Sequence, residues 1–358
     1  MAVDTQRTTQ RMKAHNKHAA LAAMLAAAAL AAAGCTASRP GPQAGPFTTE
    51  VINAYTPVKD QGRSDACWAY AMLAAIETEH IMRGDSVHLS PAYALRSALA
   101  EGFSRCYLSR GAVAVSTRGT MLTLIATIAG GGIVPYDAYH RAGGDAAAVA
   151  ARKAGRLAAA EASRRSGLRR GKLKLRRLLD ETFGPEPRAV YMLGARYTPQ
   201  EFARSVCAPG EWVALTSFTH HPFYTDIDLE LADNHGRERF SNVPIDTLMA
   251  CMERAVRAGR GVCWEGDVSE PGFSFGRGVA LLPAGTPTGQ ADRQVAFERF
   301  ATTDDHCMAV VGLARDARGR LFYIMKNSWG TSNPYGGLMY VAEDYVRLKT
   351  IAVAMPRN

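Results

Sequence analysis

Cys67, His306, Asn327 and Gln61 are side chains whose types and order suit a thiol-based acyl transfer. A cysteine attacks a carbonyl as thiolate, so it needs a base or a helix N-terminus that lowers its pKa. A histidine can take that proton and return it to the leaving amine, while a third polar group fixes the tautomer and aim of the ring. The tetrahedral oxyanion needs a hydrogen-bond donor, and a side-chain amide donates without losing its proton. Each residue alone has a plainer reading: an inert core thiol, a hydrogen-bonded core histidine, a loop glutamine. The grouping makes the set chemical, with Gln61 six residues before Cys67-Trp68, and His306 followed by Asn327-Ser328-Trp329-Gly330.

Several elements must position these groups. Trp68, Tyr70, Ala71, Leu73, Ala74 and Ile76 predict a long buried helix that opens at Cys67 and ends near Gly84. The thiol then sits at a helix N-terminus, where the dipole favours a thiolate. Ser90-Pro91 starts a second helix, running to about residue 100, and residues 119–129 a third, stopped by three glycines. Thr198-Pro199-Gln200-Glu201 is a capping box with proline at the first helical position. Another helix is expected over 244–258. Strands are expected at 260–264, 338–341 and 350–354, and at 308–314 and 320–326 as a hairpin through 316–319. The layout is α+β: a helical lobe bearing the nucleophile faces a twisted antiparallel β-sheet lobe bearing His306 and Asn327.

The run Thr56-Pro-Val-Lys-Asp-Gln-Gly-Arg-Ser-Asp-Ala-Cys-Trp-Ala-Tyr70 resembles the nucleophile segment of papain-like cysteine peptidases. Asp304-Asp-His-Cys-Met-Ala-Val-Val-Gly312 and Tyr323-Ile-Met-Lys-Asn-Ser-Trp-Gly330 are similar to the histidine and asparagine strands of that fold. Thr216-Ser-Phe-Thr-His-His-Pro-Phe-Tyr224, Val262-Cys-Trp-Glu-Gly-Asp-Val-Ser269 and Lys349-Thr-Ile-Ala-Val353 resemble the bleomycin hydrolase and aminopeptidase C branch. The resemblance runs from about Val51 to the end of the chain. It implies a papain-like two-lobe fold with Cys67 as nucleophile, His306 as base and Asn327 as its orienter. Gln61 and the Cys67 backbone N–H would hold the oxyanion, and Trp329 would shield the His306–Asn327 bond. Gly119, Trp68 and Asp305 fall at substrate-binding positions. Aminopeptidase activity on peptide substrates is what the branch implies, together with a homo-oligomeric cage and a C-terminal tail in the cleft that holds the substrate's amine. An endopeptidase of the same fold is the alternative, and a surface lipoprotein acting as a binding module is the rival from another class. No cofactor is implied.

Two positions depart from the family pattern. Asp65 stands where a glycine is usual, where it could cap the Cys67 helix, repel the thiolate and raise its pKa. Arg118 stands beside Gly119, where relatives carry a glycine pair; it either narrows the cleft, binds an acidic group or points to solvent. His220-His221 has no third ligand at suitable spacing, so the pair is read as structural and no metal is expected.

Domain organisation follows from composition. A chain of 358 residues, 47% of them hydrophobic, can bury a large core. Lys13 and Lys17 precede fifteen uncharged residues at 19–33, a length that suits a signal peptide over 1–34 rather than a membrane span. Met12 is a second candidate start. Ala32-Ala33-Gly34-Cys35 resembles a bacterial lipoprotein signal, with Cys35 lipidated and the protein exported to the cell envelope; the alternative is ordinary cleavage with Cys35 an incidental thiol. Residues 35–49 read as a Pro/Gly-rich tether and 50–358 as the peptidase domain, with a basic helical insertion at 145–183. Within it, residues 152–177 hold eleven Lys/Arg against Glu161 alone, more than the chain's net +9. That stripe is read as a solvated helix face. Contact with an anionic membrane surface or nucleic acid is the sharper alternative, weakened by the absence of interleaved aromatics for base stacking. Cys251, Cys263 and Cys307 sit in apolar runs and read as buried small hydrophobes.

Overall fold

The computed structural model describes residues 46–357 except 141, 142 and 193. The expected signal segment, Cys35 and most of the tether lie outside the described residues. The end of that tether is already folded: β1 (Phe47–Ile52) pairs antiparallel with a later strand, and the Phe47 ring stacks on Tyr340 at 4.2 Å.

Helix α1 (Cys67–Met82) is buried on nearly every side, from Trp68 through His80, so it is the central helix rather than a surface one. Its buried carboxylates are paired: Glu77 Oε1 accepts the Leu89 N–H at 2.7 Å, and Glu79 Oε2 accepts that of Gly261 at 2.8 Å. Helix α2 (Pro91–Leu108) starts where expected, with Ser90 Oγ accepting the Tyr93 N–H at 3.0 Å. It runs eight residues past the expected end. The extension buries Phe103 and Cys106 beneath two later helices, so packing rather than local pattern holds it. Helix α3 (Met121–Gly131) begins at a Thr120/Thr123 capping box.

The basic segment forms a helical hairpin, α4 (Gly144–Ser163) and α5 (Leu168–Phe183), lying on α2. Ala147, Ala150, Ala151, Ala154 and Ala158 line the buried face of α4, and these small side chains allow close approach. Leu175, Leu179 and Phe183 anchor α5, each contributing about 2 kcal/mol of burial. Glu161 is also buried, held by Lys174 at 2.6 Å and by Arg164 at 3.3 Å.

The second lobe is an eleven-stranded sheet. A separate two-stranded ribbon, β2 (Val190–Met192) with β3 (Ala195–Tyr197), and α6 (Pro199–Val206) lead into it. Next come β4 (Trp212–Thr216), β5 (Thr225–Asp228), β6 (Arg239–Asn242), α7 (Ile245–Arg257) and β7 (Val262–Gly266). The chain continues through β8 (Phe273–Ser274), β9 (Val279–Ala280), α8 (Gln290–Glu298), β10 (His306–Asp316), β11 (Leu321–Lys326), β12 (Leu338–Ala342), α9 (Glu343–Lys349) and β13 (Thr350–Pro356). Strand order is β5-β6-β4-β13-β7-β10-β11-β12-β9-β8, with β1 added against the far end of β10. The sheet is not wholly antiparallel as expected: β4 with β6 and β12 with β9 run parallel.

Helix α1 packs across β10 and β7, and this contact sets the Cys67 end of the helix against the sheet that carries His306. Strand β13 starts with Thr350 beside Gly266, at the His306 end of the sheet, and leaves toward Trp212.

Candidate active site

The loop before α1 is fastened to the segment after β11. Gln61 N–H donates to Ser328 O at 2.8 Å, Ser328 Oγ donates to Gln61 Oε1 at 2.6 Å, and Gly330 N–H donates to Lys59 O at 3.2 Å. Gln61 Nε2 donates one hydrogen to Ser64 O at 2.6 Å, which fixes the amide and leaves its second hydrogen for another acceptor. The insertion hairpin reaches this loop. A Cβ at Gly144 would lie 1.6 Å from Gln61 O, and Asp145 Oδ1 accepts the Arg63 N–H at 2.6 Å.

Cys67 is the first residue of α1 and is partly exposed. Ala66 occupies the N-cap with no side-chain cap bond, so the expected Asp65 cap is not formed; Asp65 points to solvent. Trp68 Nε1 donates to Thr117 O at 2.8 Å and ties the helix start to the 116–120 loop. Gly119 packs closely there: a Cβ would come within 3.1 Å of Trp68 Cε2 and of Thr123 Cγ2.

Cys307 and His306 are the two side chains that act most strongly on the charge of the Cys67 thiol. Cys307, and then burial, hold it well above the ordinary cysteine range, while His306 pulls it down. The group that raises it is thus the neighbouring thiol, where the sequence pointed to Asp65. His306 Nε2 meets Asn327 Oδ1 at 2.8 Å. An amide oxygen only accepts, so Nε2 carries the proton and Nδ1 presents its lone pair to the thiol. Trp329 covers that bond, its ring centroid 4.5 Å from the imidazole. Asn327 Oδ1 also accepts the Ser328 N–H at 2.7 Å, which fixes the amide's orientation.

The structure thus brings Cys67, His306, Asn327, Gln61 and Trp329 together, with Trp68 and Gly119 in the adjoining loop contact. Asp305 lies at the rim, its Oδ1 accepting the Val268 N–H at 2.8 Å. Arg118 takes the acid-binding option: its Nε meets both oxygens of Asp233, at 3.0 and 2.8 Å. Burial raises the pKa of both Glu265 and Asp304, two carboxyls that act on each other. His220 and His221 do gain a carboxylate, Glu230, at 3.1 and 2.8 Å from their Nε2 atoms. Gln294 Nε2 donates to His220 Nδ1 at 2.9 Å, so that imidazole's Nε2 bears its proton toward Glu230, forming a hydrogen-bonded rim.

A helical wall carrying the thiol and a sheet wall carrying imidazole and amide define the papain-like two-lobe fold. Among solved structures, PepW from Lactobacillus rhamnosis matches with TM-score 0.66 at 17% identity, over 100% of this chain and 92% of that one. Bromelain from Ananas comosus, in complex with the E64 inhibitor, gives 0.43 at 14% identity over 84% and 93%. Procathepsin L 3 of the Tenebrio molitor larval midgut gives 0.44 at 16% over 90% and 75%. No family model and no curated protein matches the sequence.

Proposed function

We propose that this chain is a cysteine peptidase that cleaves peptide bonds through a Cys67 thioester. The observation that carries the reading is the His306 ring, held through Nε2 on Asn327 at 2.8 Å under Trp329, and lowering the pKa of the Cys67 thiol against the groups that raise it. His306 Nδ1 takes the thiol proton as sulfur attacks the carbonyl. The Cys67 backbone N–H and the free hydrogen of the Gln61 amide stabilise the oxyanion. His306 then protonates the leaving amine, and water attacks the thioester with the same ring as base. Modification by an epoxide thiol inhibitor at neutral pH, lost in Cys67→Ala, is the expected result; no modification would favour the binding-module reading.

Aminopeptidase action is the finer form of this reading, suggested by the resemblance to the bleomycin hydrolase branch. Endopeptidase action of the same fold is the alternative. Matched peptides with free and acetylated N-termini separate the two. Export with an anchor at Cys35 belongs to the same proposal, on the strength of residues 1–35 alone.

A further inference from the structure

The α4–α5 hairpin carries charge that the folded chain does not use. Of the eleven Lys/Arg at 152–177, Arg164 and Lys174 hold the buried Glu161. The other nine are all exposed and make no side-chain hydrogen bond or ion pair among the described residues. Elsewhere Arg83, Arg118, Arg257, Arg315 and Arg320 each meet a carboxylate. Between residues 146 and 179 the one acid is Glu161. Stability gives no reason for such a face. Arg152 with Arg156, and Lys172 with Arg176, are like charges four residues apart on a helix, and these repel.

The buried stripe of α4 is Ala147, Ala150, Ala151, Ala154 and Ala158, and that of α5 includes Gly171, Leu175 and Leu179. With about 3.6 residues per turn, Arg152, Lys153 and Arg156 stand opposite the first stripe, and Arg170 and Arg177 opposite the second. Both helices pack on α2 and on each other, so these cations share one outer face, about 25 Å long. Seven of the nine unpaired cations are arginines, whose planar fork bonds two phosphate oxygens at once. Apolar side chains stand among them. Leu173, between Arg170 and Arg177, is 59% exposed, and Val149, one turn before Arg152 and Lys153, is 41% exposed. Residues 144–182 contain no aromatic side chain, so the face has nothing on which a base could stack. Leucine and valine set among cations suit the boundary between lipid headgroups and acyl chains.

We propose that the outer face of the α4–α5 hairpin docks the protein on an anionic lipid bilayer. The guanidinium groups pair with headgroup phosphates and carboxylates, while Leu173 and Val149 enter the acyl boundary. The contact is peripheral: among the described residues no helix is long and apolar enough to cross a membrane. It needs neither the Cys67 chemistry nor the segment before residue 46.

The test is co-sedimentation of the full chain with vesicles of phosphatidylcholine, alone or with about a quarter phosphatidylserine, at low and at physiological salt. One triple variant, Arg156→Gln with Arg170→Gln and Arg177→Gln, removes charge from the outer face. A second, Arg277→Gln with Arg299→Gln and Arg318→Gln, removes three exposed charges from elsewhere and has the same net charge. Any contribution of residues 1–45 is common to all three proteins. Binding to the serine-containing vesicles should fall at least about tenfold in the hairpin variant, stay within about twofold in the other, and weaken as salt is raised. Leu173→Ala should weaken it about threefold, because less apolar surface enters the bilayer. Melting curves show that the variants are folded, and the single substitutions replace a triple variant that melts early. Equal loss in the two triple variants, equal binding to both kinds of vesicle, or displacement from the vesicles by a nucleic-acid oligonucleotide bound more tightly, overturns the proposal.

Discussion

Cys307, the residue after His306, is the largest influence holding the Cys67 thiol above the ordinary cysteine range. Cys307 is itself fully buried and held well above the cysteine range, by burial and then by Cys263. His306 opposes the upward push on Cys67.

Cys307→Ala should lower the Cys67 pKa, because it removes the largest influence that raises it. The rate of alkylation by iodoacetamide, followed from pH 5 to 10, should rise at lower pH in the variant. Superimposable profiles would show that the neighbouring thiol has no such influence.

Asn327→Ala should cost activity about a hundredfold, less than Cys67→Ala, which should abolish it, because an orienter contributes less than a reacting group. The loss should fall on kcat, since Asn327 holds the imidazole through a single 2.8 Å bond and lies under Trp329. A change confined to KM would assign Asn327 to substrate binding.

Gly144→Ala should slow both turnover and epoxide modification, because the added Cβ meets Gln61 O and must displace the oxyanion loop or the start of α4. Gly143→Ala is the control: nothing lies within 4 Å of a Cβ there, and its φ of −86° suits alanine. Equal behaviour of the two variants would separate the hairpin from the loop.

Lys326 is fully buried behind Asn327, with Nζ donating to Thr56 Oγ1 at 2.8 Å, and burial lowers its pKa to about 7. The unfolded chain keeps the ordinary lysine value and binds more protons above pH 7, so this group adds stability as pH rises from about 7 toward 10. Below pH 7 the penalty of the buried charge is fully present and constant. Lys326→Met should flatten this part of the rise in urea unfolding at pH 7 and pH 9.5. An identical pH dependence in the two proteins would show that Lys326 stays charged throughout.

The sequence made the nucleophile helix and the β10–β11 hairpin legible, because apolar runs and turn residues are local signals. The second half of α2 was hidden, since Gly102 and Arg105 interrupt its pattern and only the α4–α5 hairpin above it keeps it helical. Strands β8 and β9 have two residues each, too few to show any period. Within the site, Gln61, Cys67, His306 and Asn327 were readable from residue type and order. The Arg118–Asp233 pair joins positions 115 apart and leaves no local trace. Tertiary packing buries Glu265, whereas a carboxylate in a short strand reads as a solvent-facing end.

The contact of Gly144 and Asp145 with the Gln61 loop ties one end of the basic hairpin to the segment before Cys67, while the turn at the other end is exposed. A shortened protein should keep residues 143–147 in place and lose length at the distal turn, where Arg165 and Gly167 already adopt left-handed backbone. Reporter sequences or affinity handles spliced into that turn would sit a full helix length from the thiol.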